Sequence, residues 1–81
     1  MGEYGDLFNA AVAAELRAQR ARARVTFDDL AAGAGISKSA ALNYLNGKRD
    51  IPMPIFAEIC RTLGVTRRAI FDAAERSIQE R

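Results

Sequence analysis

Histidine and tryptophan are absent from this chain, and cysteine occurs once. A single thiol excludes an internal disulfide, and without histidine no zinc site of the usual kind can form. Cys60 falls on the apolar stripe of a predicted helix, where a free thiol packs as a small hydrophobe. The missing histidine also removes the commonest general base. There is no nucleophile elbow, no phosphate-binding glycine loop and no metal-ligand cluster. An enzyme is therefore the weakest reading, and no cofactor or small-molecule ligand is expected. No run of about 18 apolar residues occurs, so no membrane span is expected. The first residues, MGEYGDLF, lack both the basic and the apolar segments of a secretory signal. Asp6 stands where a myristoylation motif wants Ser or Thr. Prolines number two, aromatic residues make up 7%, and no alternating strand pattern, internal repeat or long linker appears.

What is present is helical. The 81 residues are 49% hydrophobic and rich in alanine, enough for one small domain over residues 1–81. A first helix is expected from Asp6, a fair N-cap, to about Arg22. Phe8, Val12, Leu16 and Arg20 repeat at four-residue intervals along it. An arginine that continues a core face needs a partner, or its head must reach solvent. A second helix is expected over about 26–34. Thr26 caps it, Asp29 stands at the reciprocal capping-box position, and Phe27, Leu30, Ala31 and Ala34 face inward. Asp28 and Asp29 suit the first turn, where the helix dipole favours acids. Gly33 and Gly35 end the helix, with Gly35 in the left-handed conformation and Ile36 turned back inside. Ser37 then caps a third helix over about 37–46, stopped by Gly47. Ala41, Tyr44 and Leu45 face inward, and Lys38, Ser39, Leu42, Asn43 and Asn46 share the other face. Pro52 and Pro54 set the start of a fourth helix. Its stripe is Met53, Phe56, Ile59, Cys60 and Leu63, and Gly64 ends it. Thr66 caps a fifth helix with Ile70, Phe71, Ala74 and Ile78 on one side. The fold class is all-α, a compact domain of five short helices with low contact order.

The net charge of +2 says little, but its distribution is uneven. Residues 16–49 carry seven cations and two anions, whereas the remainder carries five cations and eight anions. Positive charge is thus concentrated around the second and third helices, as a polyanion partner would require. Between Thr26 and Arg49 stand a short helix, a glycine turn, a second short helix and a basic finish, a helix-turn-helix signature.

With these elements placed, residues 16–71 resemble the lambda-repressor/Cro-like (XRE-type) helix-turn-helix family. The resemblance rests on Leu16 and Arg20, Leu30-Ala31, Gly35-Ile36-Ser37, Asn46-Gly47-Lys48-Arg49 and Leu63-Gly64-Val65. It implies that the third helix lies in the major groove of double-stranded DNA. By position, Lys38, Ser39, Leu42 and Asn43 match base-reading sites. Lysine donates to guanine O6 and N7, asparagine pairs with adenine N6 and N7, and leucine touches a thymine methyl. Ser37, Asn46, Lys48 and Arg49 match places that hold phosphates through side chains and backbone amides. Two positions depart from the family pattern. Phe27 stands where many members carry a phosphate-touching glutamine, and is assigned to core or contact surface. Leu45 stands where a glutamate often pairs with the arginine at Arg20.

The function implied is a sequence-specific transcriptional regulator, with a repressor of phage or prophage, controller or antitoxin type expected, located in the cytoplasm with the nucleoid. A homodimer through Phe71, Ala74 and Ile78 of the fifth helix is expected, because pairing is how such motifs gain a longer site. For Phe71, packing on its own core is an equal alternative. The competing reading is a protein-interaction module that has kept the fold but lost DNA binding. Phe27 and Leu42 favour it as apolar residues near the DNA face; the surrounding cations oppose it.

Overall fold

The computed structural model describes residues 2–80. Five helices follow in order: α1 (Glu3–Ala23), α2 (Phe27–Ala34), α3 (Lys38–Leu45), α4 (Met53–Leu63) and α5 (Arg67–Gln79). All five contribute to one apolar core, whose largest fully buried side chains are Leu16, Leu30, Leu45, Phe56, Ile59 and Ile70. Each such burial is worth about 1.5–3 kcal/mol against exposure. None of the described helices is long and apolar enough to cross a membrane.

Three of the helix starts are the expected ones, for the expected reason. Thr26, Ser37 and Thr66 lie in extended backbone, and each hydroxyl accepts from an amide three residues on: Asp29 at 3.0 Å, Ala40 at 3.0 Å and Ala69 at 3.1 Å. Each cap is worth about 1 kcal/mol. The acidic half of the capping box does not form at Asp29 among the described residues, since Asp is one methylene shorter than the usual Glu. Gly35 closes α2 at φ +70°, and Gly64 closes α4 at φ +73°.

Three expectations are corrected, and a fourth is narrowed. Helix α1 begins at Glu3 behind Gly2, not at Asp6; Asp6 lies within the first turn, where an acid is also favourable. Gly33 does not end α2. It lies inside the helix, where a Cβ would come within 2.6 Å of Thr62 Cγ2, so its lack of a side chain lets α2 lie close against α4. Met53 is 60% exposed and is no part of the core stripe. Helix α5 turns its apolar side inward. Ala74 is 1% exposed, and Phe71 stacks on Phe56 at 4.8 Å with Phe8 at 5.5 Å on its other flank. Ile78 is half-buried against the same core. The stripe expected to join two copies thus packs largely on α1 and α4, with Phe71 and Ile78 left partly exposed.

Candidate nucleic-acid interface

Helix α3 divides cleanly into two sides. Ala41, Tyr44 and Leu45 are buried. Lys38 and Ser39 are exposed, Leu42 and Asn43 are half-buried, and Asn46 is exposed at the C-cap. Spacings of three and four residues stack these outward side chains along one face. Ser37 spends its oxygen lone pair on the Ala40 amide, yet its hydroxyl proton stays free to donate. Lys48 and Arg49 are exposed just beyond the helix.

The end of α3 is closed by its own backbone. Gly47, at φ +74°, donates its amide to Tyr44 at 3.2 Å, and Lys48 donates to Asn43 at 3.0 Å. This paired closure is a Schellman motif. Asn46 likewise donates its amide to Leu42 at 2.9 Å. The expectation that backbone amides here hold phosphate is thereby corrected for residues 46–48. Only their side chains are available. Arg49 is set by two contacts: its guanidinium lies over the Tyr44 ring at 5.0 Å, and its carbonyl accepts from Asn9 Nδ2 at 3.4 Å. Asn9 Oδ1 in turn accepts from the Ile51 amide at 3.3 Å. One side chain of α1 thus spans the loop that carries the two cations. Nothing in the sequence marked Asn9, because its partners lie about forty residues away.

Several arginines of the basic cluster have structural work. The Arg17 guanidinium donates to the Leu45 carbonyl, placing a positive charge at the C-terminal end of α3. Arg61 does the same for α2, donating to the Gly33 carbonyl at 2.9 Å while pairing with Glu58 at 2.8 Å. Both helices of the motif are therefore capped at their C-terminal ends from the surrounding scaffold. Arg20 has the most consequential placement. It donates to the Val25 carbonyl at 2.8 Å, and its guanidinium lies over the Phe27 ring at 4.4 Å. The two departures from the family pattern explain each other. With leucine at 45 there is no carboxylate for Arg20, and with phenylalanine at 27 there is an aromatic face instead. The Nε of Arg20 is buried without a partner. Leaving such a donor unpaired carries a desolvation cost that the ring face offsets only partly.

One contact crosses from α2 to the outward face of α3. The Lys38 ammonium lies 3.5 Å from the Asp28 carboxylate, both well exposed.

A short capped helix, a turn at positive φ and a second capped helix with a polar outward face define a helix-turn-helix of the DNA-binding kind. The family model described as a helix-turn-helix domain matches residues 11–70, and the chain belongs to that family. It is a family of DNA-binding transcription regulators and not of enzymes. Among solved structures, the chain is similar to the clp gene regulator ClgR from C. glutamicum. The TM-score is 0.81 at 26% identity, covering 86% of this chain and 90% of that one. No curated protein matches.

Proposed function

We propose that this chain binds a specific double-stranded DNA site through α3 and represses transcription by occluding a promoter. The observation that carries the reading is the two-sided α3: the inward residues anchor it in the core, while Lys38 and Ser39 are exposed and Leu42 and Asn43 half-exposed on the other side, the side from which we infer they would read base edges. Ser37, Asn46, Lys48 and Arg49 flank that face and supply phosphate contacts. The similarity to ClgR, a regulator of clp genes, supports gene regulation as the setting. A phage or prophage repressor, a restriction-modification controller or an antitoxin all fit a domain of this kind. The protein acts in the compartment that holds the DNA. Two copies on neighbouring half-sites would lengthen the contact, and the packing of Ala74 and part of Phe71 on the chain's own core weighs against α5 as the joining surface.

The interaction-module reading loses its main support. Phe27 is half-buried beneath Arg20, and Leu42 is half-buried, so neither offers a free apolar patch.

Selection of bound duplexes from a random pool tests the proposal, with a shared motif as the expected result. On the best site Lys38→Ala and Asn43→Ala should each cost about 1–3 kcal/mol and relax preference at one base pair. Equal losses on specific and random DNA would show that these residues do not read bases.

A further inference from the structure

Lys38 is the first residue of the helix that faces the DNA, and it does not stand alone: the Asp28 carboxylate sits 3.5 Å from its ammonium. Both side chains are more than half exposed, 56% for Lys38 and 74% for Asp28, so the pair is open to a ligand on that face. As a stabilising ion pair it is worth little, because exposed pairs are screened by solvent. Its importance lies in what it does to the lysine. A free lysine is a flexible point charge that finds any phosphate. Beside a carboxylate its long-range field is largely cancelled, and the pair looks to a distant phosphate like a dipole. The contact at 3.5 Å is an ion pair and not a hydrogen bond, so the ammonium keeps its three donors. Two of them suffice for O6 and N7 of one guanine.

Asp28 is itself well held. It lies in the first turn of α2, behind the Thr26 cap, where the helix dipole favours its charge.

From this geometry we infer that Asp28 is a specificity-determining residue: its charge offsets that of Lys38 toward non-specific phosphates while leaving the ammonium available as a base-reading donor. The inference rests on the proposed DNA binding through α3. Asp28 lowers the affinity for random DNA more than the affinity for the correct site, and so widens the gap between them. Discrimination between sequences is a difference of two affinities, and a repulsive element against the wrong partner raises it as surely as an attraction to the right one.

The test is Asp28→Asn in the full chain, measured by fluorescence anisotropy on two probes: the duplex selected from the random pool, and a random-sequence duplex of equal length. Salt is varied across the titrations. Releasing one cation to the phosphates should steepen the salt slope on random DNA by about 0.9, which amounts to about an eightfold gain in affinity at 0.1 M salt relative to 1 M. The selected site should gain less, so the ratio of the two affinities should fall. In a Lys38→Ala background the same Asp28→Asn change should leave the slope where it is. An unaltered slope and ratio in Asp28→Asn overturns the inference. So does a slope change that persists at full size in the Lys38→Ala background, because the acid would then act on the DNA directly. These failures are distinct from failure of the underlying reading. In the former the wild type still selects a site and Lys38→Ala still relaxes it; in the latter the wild type shows no salt-dependent binding to any duplex, and both fall together.

Discussion

Replacing Gly33 by alanine sets two effects of similar size against each other. Gly33 lies within α2, so alanine should gain about 0.8–1.0 kcal/mol of helix propensity. The new Cβ, however, would stand 2.6 Å from Thr62 Cγ2, 2.7 Å from Thr62 Oγ1 and 3.2 Å from Thr62 Cβ. Rotating Thr62 moves the first two atoms away but breaks its hydroxyl's bond to the Glu58 carbonyl, now 2.8 Å long. That loss is worth about 1 kcal/mol. Rotation leaves Thr62 Cβ where it is, so α2 and α4 must also part by a few tenths of an ångström. Overpacking of this kind typically costs about 1–3 kcal/mol. The steric side wins, and Gly33→Ala should destabilise the fold by about 1–2 kcal/mol. For a domain of this length each kcal/mol lowers Tm by about 4–8 °C. Thermal unfolding followed by circular dichroism, on wild type, Gly33→Ala, Thr62→Ala and the double variant, separates the terms. Thr62→Ala removes both atoms closest to the new methyl, so the double variant should be at least about 1 kcal/mol more stable than additivity requires. A Gly33→Ala protein that melts above the wild type, or strict additivity in the cycle, would refute the close-approach argument.

Four further outcomes are expected. Lys48→Ala and Arg49→Ala should weaken binding to every sequence and each reduce the salt slope by about 0.9; unchanged slopes in both would place these cations off the DNA. Gly35 and Arg24 both occupy the left-handed region, at φ +70° and +57°; Gly35→Val should cost more than about 1 kcal/mol and Arg24→Gly should stabilise, a pair of opposite shifts readable in Tm. Burial pushes the Cys60 thiol up to about 11, with Arg67 opposing weakly. Because the folded-state value is raised, its stabilisation is complete below the ordinary thiol value and is lost as pH rises towards 11, so urea titrations should show a fall in stability above pH 9 that Cys60→Ala lacks. Ile78→Glu should lower Tm through lost core cover while leaving the sedimenting mass unchanged; a wild-type dimer that this change dissolves would return α5 to the role of a joining surface.

The legible part of this fold is the part written in local rules. Thr26, Ser37 and Thr66 announce helix starts because a cap needs only its own next turn, and Gly35 announces the turn because only backbone sterics decide it. The outward and inward sides of α3 follow from helical spacing alone. Other features depended on partners distant in the chain. Asp6 satisfies the rules for a cap and for a first-turn acid equally, so the start of α1 was ambiguous. The role of Gly33 needs Thr62, and the roles of Arg17 and Arg61 need carbonyls 28 residues away. The stripe on α5 gives no sign of whether its own chain or a second copy will cover it. Of the basic cluster, sequence marked Arg20 as an arginine in need of a partner, but gave no sign that Arg17 is committed to the scaffold.

The Asn9 amide also bears on how binding competence is acquired. Its two bonds, to the Arg49 carbonyl and the Ile51 amide, join positions 40 and 42 residues apart. A peptide spanning only residues 26–49 would keep the caps of α2 and α3 but lose Asn9, Arg17 and Arg20 together. Its cationic loop would be unanchored, and the ordering entropy of that loop would fall due on contact with DNA. The loop is anchored in this way only once Asn9 of the first helix docks on positions 40 and 42 residues further along the chain. A nascent or partly unfolded chain carries the recognition residues without the means to hold them, and this ties occupancy of a DNA site to the integrity of the whole domain.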